Sequence, residues 1–213
     1  MTLIKPSTST AHPTPPTSAT TRMRVEDRRE LVITAAMAVF GERGYVGATT
    51  DAVAKAAGVS QPYVVRMFGT KEALFLAVLH RAVDRLLTDF TAVIDANPDS
   101  DTEQLRLGLG NAYGDLLADR GLLLSLMHAF VAGSDPAIGA TARAAFLSVY
   151  SLLRSRARFT AEEARDFLAH GMMLNTMVGM RMGLEIDDPV ARELVECVSP
   201  INADLIVRLA TDR

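Results

Sequence analysis

Residues 58–75 read GVSQPYVVRMFGTKEALF, and the fold turns on how Pro62 is placed in them. An interior proline would cost a helix one hydrogen bond and clash with the preceding turn. The conflict disappears if a helix begins there. Ser60 is a natural N-cap, which puts Pro62 in the first turn, where its missing N–H costs nothing. Val64, Val65 and Phe68 supply a buried side, and Gly69 ends the helix. Thr70 caps the next, a long amphipathic helix reading KEALFLAVLHRAVDRLLTDFTAVID.

Upstream, TDAVAKAA predicts a short helix with Val53, Ala54 and Ala57 on one face, capped by Thr49 or Thr50. Gly58 stands where a helix ends in a left-handed residue. Two short helices joined by a tight glycine turn form a helix-turn-helix. Its second helix enters the DNA major groove N-terminus first, so Gln61, Pro62 and Tyr63 fall at base edges.

Further out, Val32, Ala35, Ala36, Val39 and Phe40 recur at helical spacing between Arg24 and Arg43, with Gly44 as a stop. Beyond Ala96 the pattern predicts five more helices, over 101–119, 121–133, 136–158, 161–183 and 189–211. Pro200 should kink or divide the last. The chain is expected to be all α, with about nine helices. Residues 1–21 are rich in Thr, Ser and Pro and lack the apolar stretch that export requires, so a disordered tail is expected.

Composition narrows the function classes. The 213 residues are 49% hydrophobic and 22% charged, with no Trp and 6% aromatics, which disfavours an all-β sandwich. A lone cysteine, Cys197, excludes an intramolecular disulfide and a cysteine metal cluster within one chain. It reads as a small core residue, or else as an oxidant-sensing thiol. GLLLSLMHAFVAG is too short to cross a bilayer, so a soluble cytoplasmic protein without a membrane partner is expected. The net charge of −3 divides unevenly: residues 22–71 carry +3 and residues 72–213 carry −7, a basic head on an acidic body.

Residues 28–75 resemble the N-terminal domain of TetR-family transcriptional regulators. The matching landmarks are Ala35-Ala36, Phe40, Gly44-Tyr45, Thr49-Thr50, AVAKAAGVS and FGTKEALF. The resemblance implies a helix-turn-helix DNA-binding domain over 22–70 and a C-terminal helical ligand-binding and dimerisation domain over 71–213. Gln61-Pro62 resembles the base-reading pair of the family's founding member. Where the family carries Tyr, and two residues later His or Tyr, this chain has Val65 and Met67, with Tyr63 two residues earlier.

Chemistry assigns the head's roles. The Gln61 amide suits the N6/N7 edge of adenine, and Pro62 suits a thymine methyl. Thr50 and Lys71 look like the family's phosphate contacts at helix N-termini, beside Ser60. Arg66 suits either guanine or phosphate. Arg22, Arg24 and the tail are either an arm toward DNA or a solvated basic end.

The resemblance further implies a homodimer on an inverted-repeat operator, with a small-molecule effector of apolar or amphipathic character. Pocket candidates are Tyr113, Met127, His128, Phe130, Phe146, Tyr150, Phe167 and Asn175, apolar or aromatic residues with a few polar groups among them. Each also reads as core; His128 and Asn175 are the better candidates, since a polar group on an apolar face needs a partner, although His128 reads first as a satisfied core histidine. For the dimer, Gly171, Asn175, Gly179 and Met182 mark a flat stripe on one helix of a pair. Val190, Leu194, Val198, Ile201 and Leu205 mark the buried face of the other. Five methionines, Met172, Met173, Met177, Met180 and Met182, give adaptable apolar surface there.

No cofactor or metal site is expected. HExxH and GxSxG are absent, and GLGNAYG has the wrong glycine spacing for a dinucleotide loop, so the chain is not read as an enzyme. Two alternatives stay open beside a ligand-controlled repressor. One is a ligand-independent, nucleoid-type DNA binder; the other is a family member whose DNA binding is impaired at Val65 and Met67.

Overall fold

Seven helices begin on a threonine or aspartate whose side-chain oxygen accepts a free N–H of the first turn: Thr49, Thr70, Asp101, Asp119, Asp135, Thr160 and Asp188. Each such cap is worth about 1 kcal/mol against alanine. A computed structural model describes residues 24–198 and 203–211, and among them the chain is helical throughout, with no strand. The helices are α1 Val25–Gly47, α2 Thr50–Ala56, α3 Gln61–Phe68, α4 Lys71–Ala96 and α5 Thr102–Leu117. They continue as α6 Arg120–Val131, α7 Pro136–Ser155, α8 Ala161–Gly179, α9 Pro189–Val198 and α10 Ala203–Thr211. The predicted tail and Arg22 lie outside the described residues.

Gly44 does interrupt α1, with φ 68° and ψ 173°, but a final helical turn follows it to Gly47. That backbone is open to glycine and strained for other residues. Around the kink the head packs its core. Phe40, Phe75, Val53, Val64 and Leu74 are fully buried, and the Phe40 and Phe75 rings sit 4.7 Å apart. Tyr45 closes the cluster 5.0 Å from Phe75. Gly58 has the left-handed φ of 65° expected at the turn between α2 and α3.

α1 is also the seam between head and body, because it lies against α6. The two backbones approach so closely at Gly41 and Gly121 that a Cβ on Gly41 would stand 2.9 Å from the Gly121 Cα. The Ser125 hydroxyl, itself buried, donates to the Met37 carbonyl at 3.2 Å. His128 Nε2 lies 3.3 Å from the Gly41 carbonyl. A carbonyl only accepts, so this bond puts the imidazole proton on Nε2.

α4 to α8 form the body, with α9 and α10 closing one end over a second apolar cluster around Leu117, Leu123, Met177 and Ile206. α7 alone among the described residues has the length and apolar composition of a membrane span. Its buried row of Ile138, Ala142, Ala145 and Leu153 faces α4, α6 and α8.

Two predicted spans end differently. α8 stops at Gly179, because Arg181 takes a left-handed φ of 56° and a 3-10 turn, Met182–Glu185, follows. The last span is two helices, α9 and α10. Pro200 and Ile201, between them, lie outside the described residues.

Candidate DNA-reading surface and interior cavity

The first turn of α3 stands at the protein surface. Ser60 occupies the N-cap position, yet its hydroxyl takes no N–H of the helix. Pro62, Val65 and Arg66 are exposed, while Gln61 and Tyr63 are half-buried. Gln61 is held: its Nε2 donates to the Thr50 hydroxyl at 3.2 Å. An amide nitrogen carries two hydrogens, so Gln61 keeps one N–H and its carbonyl for a partner such as adenine. Thr49, one residue before Thr50, is the cap of α2. Thr50 is thus free to orient Gln61.

Arginines gather around Tyr63. The Arg66 and Arg28 guanidinium carbons lie 5.1 Å and 5.9 Å from its ring centroid, and Arg29 lies 5.3 Å from that of Phe68. These separations allow cation–π attraction. Arg28 and Arg29 escaped the sequence-based site because they come from α1, more than thirty residues earlier. Their only sequence signal is the head's excess of positive charge.

Lys71 does something other than expected. Its ammonium turns back to the end of α1, donating to the Tyr45 carbonyl at 2.9 Å and the Ala48 carbonyl at 3.2 Å. It also lies 4.6 Å from the Tyr45 ring centroid. The charge satisfies carbonyls that the kink at Gly44 would otherwise leave bare. In this arrangement it serves the fold, where the sequence suggested a phosphate.

In the body, an apolar cavity of about 70 Å³ lies between α4, α5, α6, α7 and α8. Tyr113, Phe130, Phe146, Phe167 and Asn175, proposed from the sequence, all line it, and none of its lining residues is charged. Val83, Leu86 and Phe90 of α4 also line it, although nothing in the sequence separates them from ordinary core. Three of the pocket candidates fall elsewhere. His128 faces α1, as described above, and Met127 and Tyr150 do not reach the cavity.

Asn175, 4% exposed, accepts the Tyr113 phenol at 2.5 Å. Burial pushes that phenol well above its ordinary pKa, against the opposing effect of the bond to Asn175, and it remains a donor.

The predicted dimer stripe is rotated on α8. Gly171 and Asn175 turn inward toward Tyr113, and the outward row is Ala169, Met173, Thr176 and Met180, with Gly179 beside it. Leu194, Val198, Leu205 and Met182 pack into the second apolar cluster, whereas Val190 is exposed. A helix with methionine on several sides has no unique apolar face in sequence, and the partner for Asn175 fixed the rotation.

A helix-turn-helix with a polar, arginine-flanked first turn, mounted on a helical body with an internal cavity, defines a DNA-binding transcriptional regulator. Residues 32–78 match the sequence model of the bacterial regulatory proteins, tetR family. The chain is 29% identical over 178 residues to the HTH-type transcriptional activator FasR of Mycolicibacterium smegmatis, covering 81% of this chain and 79% of that one. A member of the TetR family from Streptomyces coelicolor A3 superposes with a TM-score of 0.57 at 27% identity, over 86% of this chain and 98% of that one. The multidrug binding protein EbrR complexed with imidazole gives 0.52 at 28% identity, over 81% and 89%. Residues 32–78 thus form a TetR-family DNA-binding domain, and the chain as a whole is similar to transcriptional regulators of that family.

Proposed function

We propose that the protein is a homodimeric regulator whose affinity for an inverted-repeat operator is set by a small molecule held in the body. The reading rests on one observation: α4 and α6 wall the cavity with Val83, Leu86, Leu126 and Phe130, and the same two helices hold the head. α6 grips α1 through Gly121, Ser125 and His128, and α4 does so through Lys71. A ligand that spreads these walls shifts the head. In a dimer that changes the spacing of two α3 helices, which must match successive major grooves about 34–36 Å apart. The ligand moves the equilibrium only by its differential affinity for the two spacings.

Base reading is assigned to Gln61, Pro62 and Tyr63, and backbone contact to Ser60, Arg66, Arg28 and Arg29. The dimer contact is assigned to the outward row of α8 around Met173 and Met180. Repression is the expected sign where the dimer covers a promoter. The activator designation of the Mycolicibacterium relative, whose match extends through the body, favours activation as the second reading.

Compounds that raise the thermal midpoint should change affinity for a selected operator at least fivefold by fluorescence anisotropy. Unchanged affinity with every stabilising compound would leave a ligand-independent binder. Transcription in vitro from a promoter carrying the operator gives the sign.

A further inference from the structure

The cavity described above is too small on its own. At about 70 Å³ it falls well short of the roughly 300–1,000 Å³ of ordinary ligand sites. A second hollow of about 700 Å³ opens between α5, α8 and α9, and its wall adds charged side chains to apolar ones, where the first has no charged residue. Tyr113, Phe167 and Gly171 line both. The partition between them is therefore one side chain thick.

Tyr113 is built as a movable part of that partition. Its ring lies against the α8 backbone where Gly171 has no side chain, and a Cβ there would stand 3.4 Å from it. It is held by one neutral hydrogen bond, to Asn175, and by an edge-on contact with the Phe90 ring at 6.3 Å. Joining the two spaces requires a change of the Tyr113 rotamer toward the outer hollow, which would also free the Asn175 carbonyl.

The charges of the outer hollow restrict what that is. Glu103, Glu163 and Asp166 line it. Arg106 pairs with Glu103 at 2.6 Å and Arg165 with Asp166 at 2.8 Å, while Glu163 accepts the Thr160 N–H and has no cationic partner among the described residues. His170, also on the wall, has its pKa lowered by burial and then by Arg106, and adds no positive charge near neutral pH. Three carboxylates against two guanidiniums leave the wall with a net negative charge, which an anionic head would meet.

We propose that the effector is an amphipathic molecule with an uncharged or cationic head, which seats its head in the α5–α8–α9 hollow and passes an apolar tail beside Tyr113 into the inner cavity. This rests on the proposed ligand control of the same body, but it is tested without DNA.

The test is calorimetric titration of the full chain with octyl-, decyl- and dodecyltrimethylammonium below their micelle concentrations. Tetramethylammonium and the matching alkanoates serve as controls. Affinity should rise about fourfold per added methylene, the transfer gain for a tail leaving water. Alkanoates of equal length should bind at least tenfold more weakly, and tetramethylammonium alone should give no heat.

Ala145→Leu narrows the inner cavity and should abolish the length dependence. Tyr113→Phe removes the hydrogen bond to Asn175 and should tighten binding severalfold. Thermal midpoints establish that both variants are folded.

Several results would overturn the inference: no binding by any alkylammonium, length-independent affinity, alkanoates binding as tightly, or an Ala145→Leu chain that keeps the length dependence. Probes that bind as expected yet leave operator affinity unchanged would refute the ligand control and leave the two-compartment site standing.

Discussion

Head and body solve opposite problems with the same kind of helix. In the head, Phe40, Tyr45 and Phe75 fill the space between α1 and α4, and long side chains such as Lys71 and Gln61 are each tied to a named partner. In the body, Phe90, Phe130, Phe146 and Phe167 meet edge to face around a void, and Phe146 remains 39% exposed. A surface that must match base edges to within a hydrogen bond needs a closed core beneath it. A chamber that must admit a guest needs slack. The difference therefore separates the part that reads from the part that yields.

Core truncation gives the largest contrast. Phe40→Ala should cost about 3–5 kcal/mol, because the fully buried ring leaves a cavity among side chains that cannot collapse onto it. Ala145→Leu, at the body's existing void, should change stability by less than about 1.5 kcal/mol. Denaturant titrations of the two variants measure both. Equal losses would mean that the body is packed as tightly as the head.

Lys71 comes next. Lys71→Met should cost about 1–2 kcal/mol, the order expected for a charged donor serving exposed backbone carbonyls. It should leave the salt dependence of DNA affinity unchanged. Arg66→Ala, in contrast, should lower the slope of log affinity against log salt by about 1 if its guanidinium neutralises a phosphate. A reduced slope for the lysine variant would return Lys71 to the DNA.

The smallest effect concerns the body alone. Burial, then Arg106, holds the His170 pKa below the ordinary value of 6.5. The unfolded chain therefore binds the proton more readily, so stability is full above that value and falls as the pH drops through it toward the folded pKa. His170→Gln should flatten the dependence of the thermal midpoint between about pH 7 and pH 5. A midpoint that rises on acidification in the native chain would reverse the sign.

What the sequence made legible was local chemistry. Pro62 announces a helix start, Gly58 a left-handed turn and Thr70 a cap, because each acts on backbone within four residues of itself, although the Ser60 hydroxyl does not make the cap its position suggests. Long-range geometry was hidden. Lys71 reaches back 26 residues to Tyr45, and His128 meets Gly41 across 87. Nothing near either residue signals its partner. The phase of α8 was equally hidden until Tyr113, 62 residues upstream of Asn175, turned that amide inward.

The most direct test of base reading by the α3 first turn is selection of bound duplexes from a random DNA library, run with the native chain and with Gln61→Ala. The native chain should enrich an inverted repeat, and the variant should lose preference at one position in each half-site while still binding. That loss should amount to about 1–3 kcal/mol of discrimination. An unchanged preference in the variant, or no enriched sequence from the native chain, would contradict the assignment of Gln61 and of the surface built around it.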